Sequence, residues 1–325
     1  MQKVEHLTET GLENMTINEL VEVDKTYESR IHLRRQIMRD HPSTFDHRPG
    51  SEAAVYELYE WMTTLYLPRR FPSMYKLDTG EKADHLRNLV TNESIPLRPE
   101  SARDAMHTLG CHVDTDFLIL LPSAKDGVYC LEAFVTTFPS GFSTLAKLGK
   151  TLAEIHAPVP KYAAKLGKSM DRFFANLPVG KVVKRANWTV TTNDILYAEK
   201  GTHLYADDDH ANHDDAGLES EATGQGLGDP NLSGREDIER QKAQVNVAEC
   251  RLRCERQTLH RLPNSQALVF AFKTYQYRLE EVKAEGSGEA LASAIEGFGK
   301  GSVPEMEFYK KGIVWGDKVK EFLRR

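Results

Sequence analysis

The sequence has no long apolar run. A membrane-spanning helix needs about 20 consecutive, mostly apolar residues, and no apolar run in the 325-residue chain is that long. The N-terminal residues Met1–His6 lack the apolar core of a secretory signal peptide. With 40% hydrophobic and 28% charged residues, the composition is typical of a globular protein. We therefore expect a cytoplasmic protein without a membrane span.

Cysteine is scarce, and the common catalytic motifs are absent. The four cysteines form no CxxC pair, and only Cys250 and Cys254 lie close together in the sequence. Zinc at that pair would need two further ligands that no pattern identifies, so we expect reduced intracellular thiols. The motifs GxGxxG, GxxxxGKS/T, HExxH and GxSxG are all missing. Neither a nucleotide-binding nor a hydrolase function therefore has local support.

The net charge of −6 is unevenly distributed along the chain. Residues 206–230 contain eight aspartates and glutamates and no lysine or arginine, so the rest of the chain is close to neutral. The absence of a basic region argues against nucleic-acid binding. Because the acidic stretch has almost nothing apolar to bury, we predict a disordered surface insertion over residues 206–234.

Three zones are visible along the chain. Residues 1–100 are predicted to form a helical N-terminal region, residues 101–285 the main domain, and residues 286–325 a C-terminal helical tail. Within the first zone, the apolar spacing and the prolines predict helices over residues 24–39 and 52–65 and a turn over residues 66–72.

Runs of β-branched and aromatic residues predict five strands in the main domain. They cover residues 116–121, 127–137, 182–196, 251–262 and 266–279. Two helices, over residues 143–157 and 160–176, are predicted between the second and third strands. We therefore predict an α+β fold, with an antiparallel five-stranded sheet and helices on one face. This order of elements is PAS-like, which favours a small-ligand pocket between sheet and helices but does not name the ligand.

The helix predicted over residues 143–157 ends on a histidine. Spacings of three and four residues form an apolar stripe from Leu145, Leu148, Leu152 and Ile155. His156 lies within that stripe, and Pro158 ends the helix just after it. An imidazole in this position suits a haem iron or an acid–base role. The alternative is a buried, hydrogen-bonded core histidine.

The fourth predicted strand alternates between two faces. One face carries Leu252, Cys254, Arg256, Thr258 and His260, and the other carries Arg251, Arg253, Glu255, Gln257, Leu259 and Arg261. A guanidinium beside Leu252 and Cys254 needs an anionic or carbonyl partner, which is a ligand group or a carboxylate of the protein. The third strand adds a polar–aromatic cluster of Lys184, Arg185, Asn187 and Trp188.

Several of these segments together resemble a known family. In chain order they are YLPRRFP (66–72), FPS (138–140), KLG (147–149) with IHAPVP (155–160), RANW (185–188), and ERQTL (255–259) with RLP (261–263). They resemble the haem-dependent oxidative N-demethylase family, in a version typical of filamentous fungi, over most of residues 15–280. The acidic insertion is an addition to the simpler family pattern.

The resemblance implies a haem b enzyme built on a PAS-like domain. Such an enzyme uses O₂ and electrons from a separate flavin/iron–sulfur reductase to oxidise a small methylated amine, whose N-hydroxymethyl product then loses formaldehyde. The resemblance also implies that His156 is the proximal iron ligand, with its second ring nitrogen oriented by a neighbouring acceptor. His107 and His112 are the alternative ligands.

Further site residues are implied by the same resemblance. Arg256 is expected above the haem as a catalytic group that stabilises bound oxygen or gates substrate. Glu255 and Arg253 are expected to hold it in place or to anchor a propionate, while Trp188 and Asn187 line the pocket. Two alternatives remain open: a PAS-like haem or small-molecule sensor without turnover, and an interaction protein with a vestigial pocket.

Overall fold

The computed structural model describes residues 11–78, 84–162, 166–199, 232–300 and 303–325. It contains two antiparallel sheets, of seven and three strands, together with helices. The α+β class predicted from the sequence is confirmed. Most of the predicted acidic insertion, residues 206–231, lies outside the described residues. No described helix is both long and apolar enough to cross a membrane.

The described residues form ten strands and eleven α-helices. The strands are β1 (Glu13–Met15), β2 (Phe45–His47), β3 (Tyr75–Leu77), β4 (His85–Asn88), β5 (Glu93–Pro96), β6 (Asp116–Pro122), β7 (Tyr129–Val135), β8 (Val182–Thr191), β9 (Arg251–Arg261) and β10 (Leu268–Arg278). The helices are α1 (Tyr27–Asp40), α2 (Glu52–Glu60), α3 (Leu67–Arg70), α4 (Ala102–His112), α5 (Leu152–Ile155), α6 (Lys168–Asn176), α7 (Leu232–Gln244), α8 (Leu279–Ala284), α9 (Gly288–Gly297), α10 (Met306–Tyr309) and α11 (Gly312–Arg324).

The large sheet has the strand order β1-β8-β9-β10-β6-β7-β2, and all neighbours are antiparallel. The five predicted strands form its uninterrupted centre. The predicted strand number was too low because β1 and β2, each three residues long, add to the edges formed by β8 and β7. Segments this short carry no readable period, and they are positioned by the backbone groups that an edge strand leaves unpaired.

Helices cover both faces of the large sheet, so the prediction of helices on one face is wrong. On one side, α1, α2 and α4 pack over one half of the sheet, and α9 and α11 pack over the other half. We call this side, which includes Val269, the terminal-helix face. The opposite side, which includes Val183 and Leu259, carries α5 and α6, and we call it the His156 face.

The N-terminal region is less helical than predicted. Although α1 and α2 confirm the two helices, residues 75–96 contain the small sheet, in the order β3-β4-β5. The predicted turn over residues 66–72 is mostly helix, because α2 continues through a π-helical stretch, Trp61–Tyr66, into α3. Pro68 falls in the first turn of α3, where the missing N–H of proline is tolerated.

The helix predicted over residues 143–157 is split into two pieces. A 3₁₀ turn is followed by Gly149, which has a φ of +83° and therefore cannot continue a right-handed helix. The Gly149 N–H donates to a carbonyl of β7, which ties the segment to the sheet. The helix restarts as α5 with a capping box between Thr151 and Glu154.

A buried ion pair joins α1 to the sheet. The Arg34 guanidinium donates to an Asp116 carboxylate oxygen at 2.8 Å, and both side chains are about 1% exposed. The same carboxylate accepts the backbone N–H groups of Thr137 at 2.9 Å and Phe138 at 3.0 Å. Asp116 therefore fixes both α1 and the corner at which the chain leaves β7.

We predict that Asp116→Ala lowers the free energy of unfolding by about 3–5 kcal/mol, because it leaves the Arg34 cation buried and unpaired. Chemical denaturation followed by circular dichroism measures the change. The matched control is Asp317→Asn, which removes an exposed ion pair with Lys320 and should leave the midpoint almost unchanged. Equal effects of the two substitutions would contradict the assigned role of Asp116.

Candidate functional site

His156 is the C-cap residue of α5 and is half-buried on the His156 face. The helix is anchored there because Leu152 and Ile155 pack against the sheet residues Val183 and Leu259. Its last turn is closed by the His156 N–H, which donates to the Leu152 carbonyl at 3.0 Å. The predicted position of His156 at a helix end within apolar surroundings is therefore what the structure contains.

Two contacts hold the His156 ring. The Nδ1 atom lies 2.8 Å from the Leu152 carbonyl oxygen, and because a carbonyl only accepts, Nδ1 carries the proton. The ring stacks on Tyr162, with centroids 4.5 Å apart and planes inclined by 11°. The lone pair is therefore on Nε2, which makes no hydrogen bond with the described residues. A metal-binding histidine is oriented in this way by a hydrogen bond at its other ring nitrogen, and the same contacts also satisfy a core histidine.

The electrostatic surroundings keep this imidazole neutral. Burial lowers the pKa of His156, and the positive charges of Lys147 and Arg185 lower it further, against the opposing effect of the hydrogen bond to Leu152. Neutral imidazole is the form that binds a metal ion. The effect of Arg185 also shows that this exposed cation of β8 lies near the ring.

A row of polar side chains crosses from β8 to β9 on the same face. The Arg185 Nε donates to Gln257 Oε1 at 2.6 Å, and the Gln257 Nε2 donates to Glu255 Oε2 at 2.8 Å. The Asn187 Nδ2 donates to that same Glu255 oxygen at 3.2 Å. The row therefore brings the predicted residues Asn187 and Glu255 onto the His156 side of the sheet, with Arg185 between them and His156.

Lys310 approaches this row from the C-terminal part of the chain. Its ammonium group donates to the Trp188 carbonyl and lies over the rings of Trp188 and Phe298, at 5.4 and 5.2 Å from their centroids. Burial lowers the pKa of Lys310 to about 8, while the negative charge of Glu255 opposes this shift. The pKa of Lys310 therefore lies closer to neutral pH than that of an ordinary lysine, and Glu255 is near enough to influence it.

Arg253 lies on the His156 face but is completely buried. Its guanidinium donates to the carbonyls of Phe138 at 2.8 Å, Pro139 at 3.1 Å, and both Ile195 and Leu196 at 3.2 Å. The described residues offer no partner to its Nε. Arg253 therefore ties the corner after β7 to the chain that follows β8, and its terminal N–H groups are already occupied.

Arg256 and Trp188 lie on the terminal-helix face, away from His156. The Arg256 Nε pairs with the Glu22 carboxylate at 2.9 Å, and its terminal nitrogens donate to the carbonyls of Glu19 and Leu20 at 2.5 and 3.4 Å. Trp188 packs among the C-terminal helices and stacks on Phe298. The structure therefore does not bring these two predicted residues to the site. Of the two kinds of partner considered for Arg256, a ligand group or a carboxylate of the protein, the structure contains the carboxylate, that of Glu22.

The alternative ligands His107 and His112 belong to α4, on the terminal-helix face. The Nε2 of His107 lies 3.6 Å from the Cys111 sulfur, and its ring packs on Phe45. Burial lowers the pKa of His112 to about 4, and Arg35 lowers it further. Neither histidine shares a face with the polar row.

Sequence reasoning named Arg185 only as a member of the polar–aromatic cluster of the third strand and gave it no role, and it missed Tyr162 and Lys310 as site residues. Arg185 had a readable signal, because it is two residues from Asn187 in the same strand and therefore shares its face. Tyr162 lies in an apolar helical pattern and Lys310 in a distant helical tail, so only the folded chain brings them close to His156 and Glu255.

Within the described ranges, no three His, Cys, Asp or Glu side chains are grouped in a way that could hold a metal ion. A metal centre at His156 therefore requires a cofactor that supplies most of the ligands itself. A porphyrin does so, because the iron of a haem needs only one or two axial ligands from the protein.

We predict that the His156 ring is protonated at Nδ1 and that its pKa lies below the ordinary value of 6.5. Since an unfolded chain binds this proton at a higher pH than the folded chain, His156 favours folding above about pH 6.5 and loses that contribution as the pH falls. Nitrogen-15 chemical shifts over a pH titration measure both the tautomer and the pKa of His156. An Nε2–H tautomer, or a pKa above 6.5, would contradict the geometry.

The comparison with known proteins gives one family. The sequence profile described as "Haem-dependent oxidative N-demethylase, alpha subunit-like" matches residues 11–320 of the 325-residue chain.

Proposed function

Because the chain belongs to the haem-dependent oxidative N-demethylase, alpha subunit-like family, we propose that it is an enzyme that oxidises a small methylated amine. The proposed reaction consumes the amine, O₂, two electrons and two protons. It yields water and the N-hydroxymethyl amine, whose C–N bond then breaks to release formaldehyde. We propose haem b as the cofactor, with electrons supplied by a separate flavin/iron–sulfur reductase.

The observation that carries the proposal is the fixed tautomer of His156. The Nδ1–H bond to the Leu152 carbonyl leaves the lone pair on Nε2, and stacking on Tyr162 restricts rotation of the ring. We assign His156 as the residue that would hold the haem iron, through Nε2. A carbonyl acceptor behind a ligating histidine also increases the basicity of the ligand.

The other residues on the His156 face fit a haem as well. Leu152, Ile155, Val183 and Leu259 pack together between α5 and the sheet and keep the surroundings of His156 apolar. We assign Arg185 as the cation that binds a propionate, because it is exposed and only its Nε is held by Gln257. Arg185 takes the anchoring role that the sequence suggested for Arg253, whose donors are occupied by carbonyls.

When bound, haem supplies the iron at which O₂ is reduced and the N-methyl carbon is oxidised. The protein then has to position the amine and control protons. We assign Glu255 to bind the amine or its proton, because its carboxylate is half-buried and accepts from Asn187 and Gln257. Burial lowers the pKa of the nearby Lys310 to about 8, and the negative charge of Glu255 opposes that shift.

Arg256 and Trp188 have no direct role in this proposal. They stabilise the sheet from the terminal-helix face, where Arg256 binds Glu22 and Trp188 packs on Phe298. We retain the PAS-like interpretation for the five central strands and the cytoplasmic location as parts of the proposal. The separate reductase is included because the sequence contains neither a GxGxxG nor another nucleotide-binding motif.

We predict that the full chain, purified with haem supplied, shows a Soret band with close to one haem per chain. His156→Ala should lose most of the haem or shift the band, because the axial bond is removed. The matched control is His32→Ala, which alters an exposed histidine of α1 and should leave the spectrum unchanged. His107→Ala and His112→Ala should also leave it unchanged. Haem binding that is identical in His156→Ala would overturn the assigned ligand.

We predict that Glu255→Gln lowers formaldehyde release by about 100-fold while haem content stays the same, since a positioned acid or base contributes about that factor. The assay supplies secondary methylamines, O₂ and a chemical reductant. Glu249→Gln, an exposed residue just before β9, serves as the matched control. A chain that binds haem yet releases no formaldehyde from any amine would favour a sensor over an enzyme.

A further inference from the structure

A second concave site lies on the terminal-helix face, on the opposite side of the sheet from His156. This groove encloses about 440 Å³, which is within the range of small-molecule sites. Its walls come from the segment after β1, from α2 and its π-helical extension, from the loop before β8 and from the β9–β10 turn. They include Ile17, Glu60, Trp61, Leu65, Val179 and His260. We call it the Trp61 groove.

The Trp61 groove combines exposed apolar side chains with acidic ones. Ile17, Leu65 and Val179 are 39%, 37% and 47% exposed, although residues of this type are usually covered. Glu57 accepts the backbone N–H groups of Asn264 and Ser265. Glu60 is exposed and forms no ion pair with the described residues.

Among the described residues, the one cationic side chain that lines the groove, Arg261, is not available to a ligand. Arg261 is buried, and its guanidinium donates to the carbonyls of Phe174, Leu177 and Gln266 and to the Tyr129 hydroxyl. The exposed charge of the groove walls is therefore negative, which favours a cationic ligand.

His260 lies in the floor of the groove with two unsatisfied ring nitrogens. The side chain is buried, and neither nitrogen has a hydrogen-bond partner among the described residues. Burial lowers the pKa of His260 to about 4, so at neutral pH the ring has one lone pair to accept a donor. Unpaired buried polar atoms are unfavourable, and a ligand that donates a hydrogen bond would correct this.

Trp61 lies beside His260 in the groove. Its ring centroid is 5.6 Å from that of His260, and Trp61 begins the π-helical stretch Trp61–Tyr66. π-Helical turns are rare and are frequent at functional sites. Indole is also the aromatic side chain that attracts organic cations most strongly.

We propose that the Trp61 groove binds a small organic ammonium ion with an apolar body. The apolar body packs on Ile17, Leu65 and Val179. The ammonium group lies between the Trp61 ring and the Glu60 carboxylate, and donates a hydrogen bond to His260. This site is independent of haem, because it lies on the other face of the sheet from His156.

The test compares three probes of one shape at neutral pH: 2-phenylethylammonium, 2-phenylethanol and 3-phenylpropionate. Calorimetric titration of the full chain measures their affinities, and intrinsic fluorescence follows Trp61. The cation should bind at least about tenfold more tightly than the alcohol, and the anion should not bind measurably. The nitrogen-15 signals of His260 should shift with the cation.

Three variants locate the binding. Glu60→Gln should weaken binding of the cation by about fivefold while leaving that of the alcohol unchanged. Trp61→Leu should remove the fluorescence change and weaken binding of the cation by about tenfold. His260→Phe keeps a planar ring but removes the acceptor, so it should weaken binding of the primary ammonium ion. Binding of benzyltrimethylammonium, which has no N–H to donate, should not change. Glu100→Gln, an exposed carboxylate away from the groove, is the matched control and should change nothing.

Several outcomes would overturn the proposal. They are equal binding of cation and alcohol, no binding at millimolar concentration, or binding that is unaffected by Trp61→Leu. A His260 ring satisfied by an ordered water that no probe displaces would also overturn it. His156→Ala should bind the probes normally, so a failure of the haem assignment and a failure of this site give different results.

Discussion

The Asp116 carboxylate is the interaction on which the arrangement depends. It accepts from Arg34 of α1 and from the backbone N–H groups of Thr137 and Phe138, so one buried charge joins a helix, a strand and a corner. The Phe138 carbonyl is in turn bound by Arg253. Removing any member leaves a buried charge or dipole without a partner, which is why the pieces are held in one geometry.

The two faces of the large sheet are covered by different sets of helices. The terminal-helix face is filled by α1, α2 and α4 and by α9 and α11, which provide most of the apolar burial. Among the described residues, the helices that pack on the His156 face are the short α5 and α6, and this face carries a polar row between β8 and β9. The proposed haem site lies on this second face.

The strands of the main domain were predictable because each spans at least seven residues with a clear period of two. The same period placed Arg253 and Arg256 on opposite faces correctly, but it could not say which helices would cover each face. Which helices cover a face depends on long-range packing. In this chain, that packing brings Glu22 to Arg256 and leaves Arg256 on the face away from His156. The break in the predicted helix at Gly149 could not be predicted from the sequence either. The positive φ of Gly149 goes with its hydrogen bond to β7, which is a contact between distant parts of the chain.

The contact between Lys310 and the Trp188 carbonyl has a consequence for how the protein behaves in solution. In the described part of the chain, β1 pairs with β8 only over Val182–Lys184, and further along this edge Lys310 of the C-terminal segment binds the Trp188 carbonyl. An exposed edge strand is a template for β-pairing between molecules. A chain shortened before α10 would uncover that edge, and it would then be prone to aggregate through intermolecular strand addition.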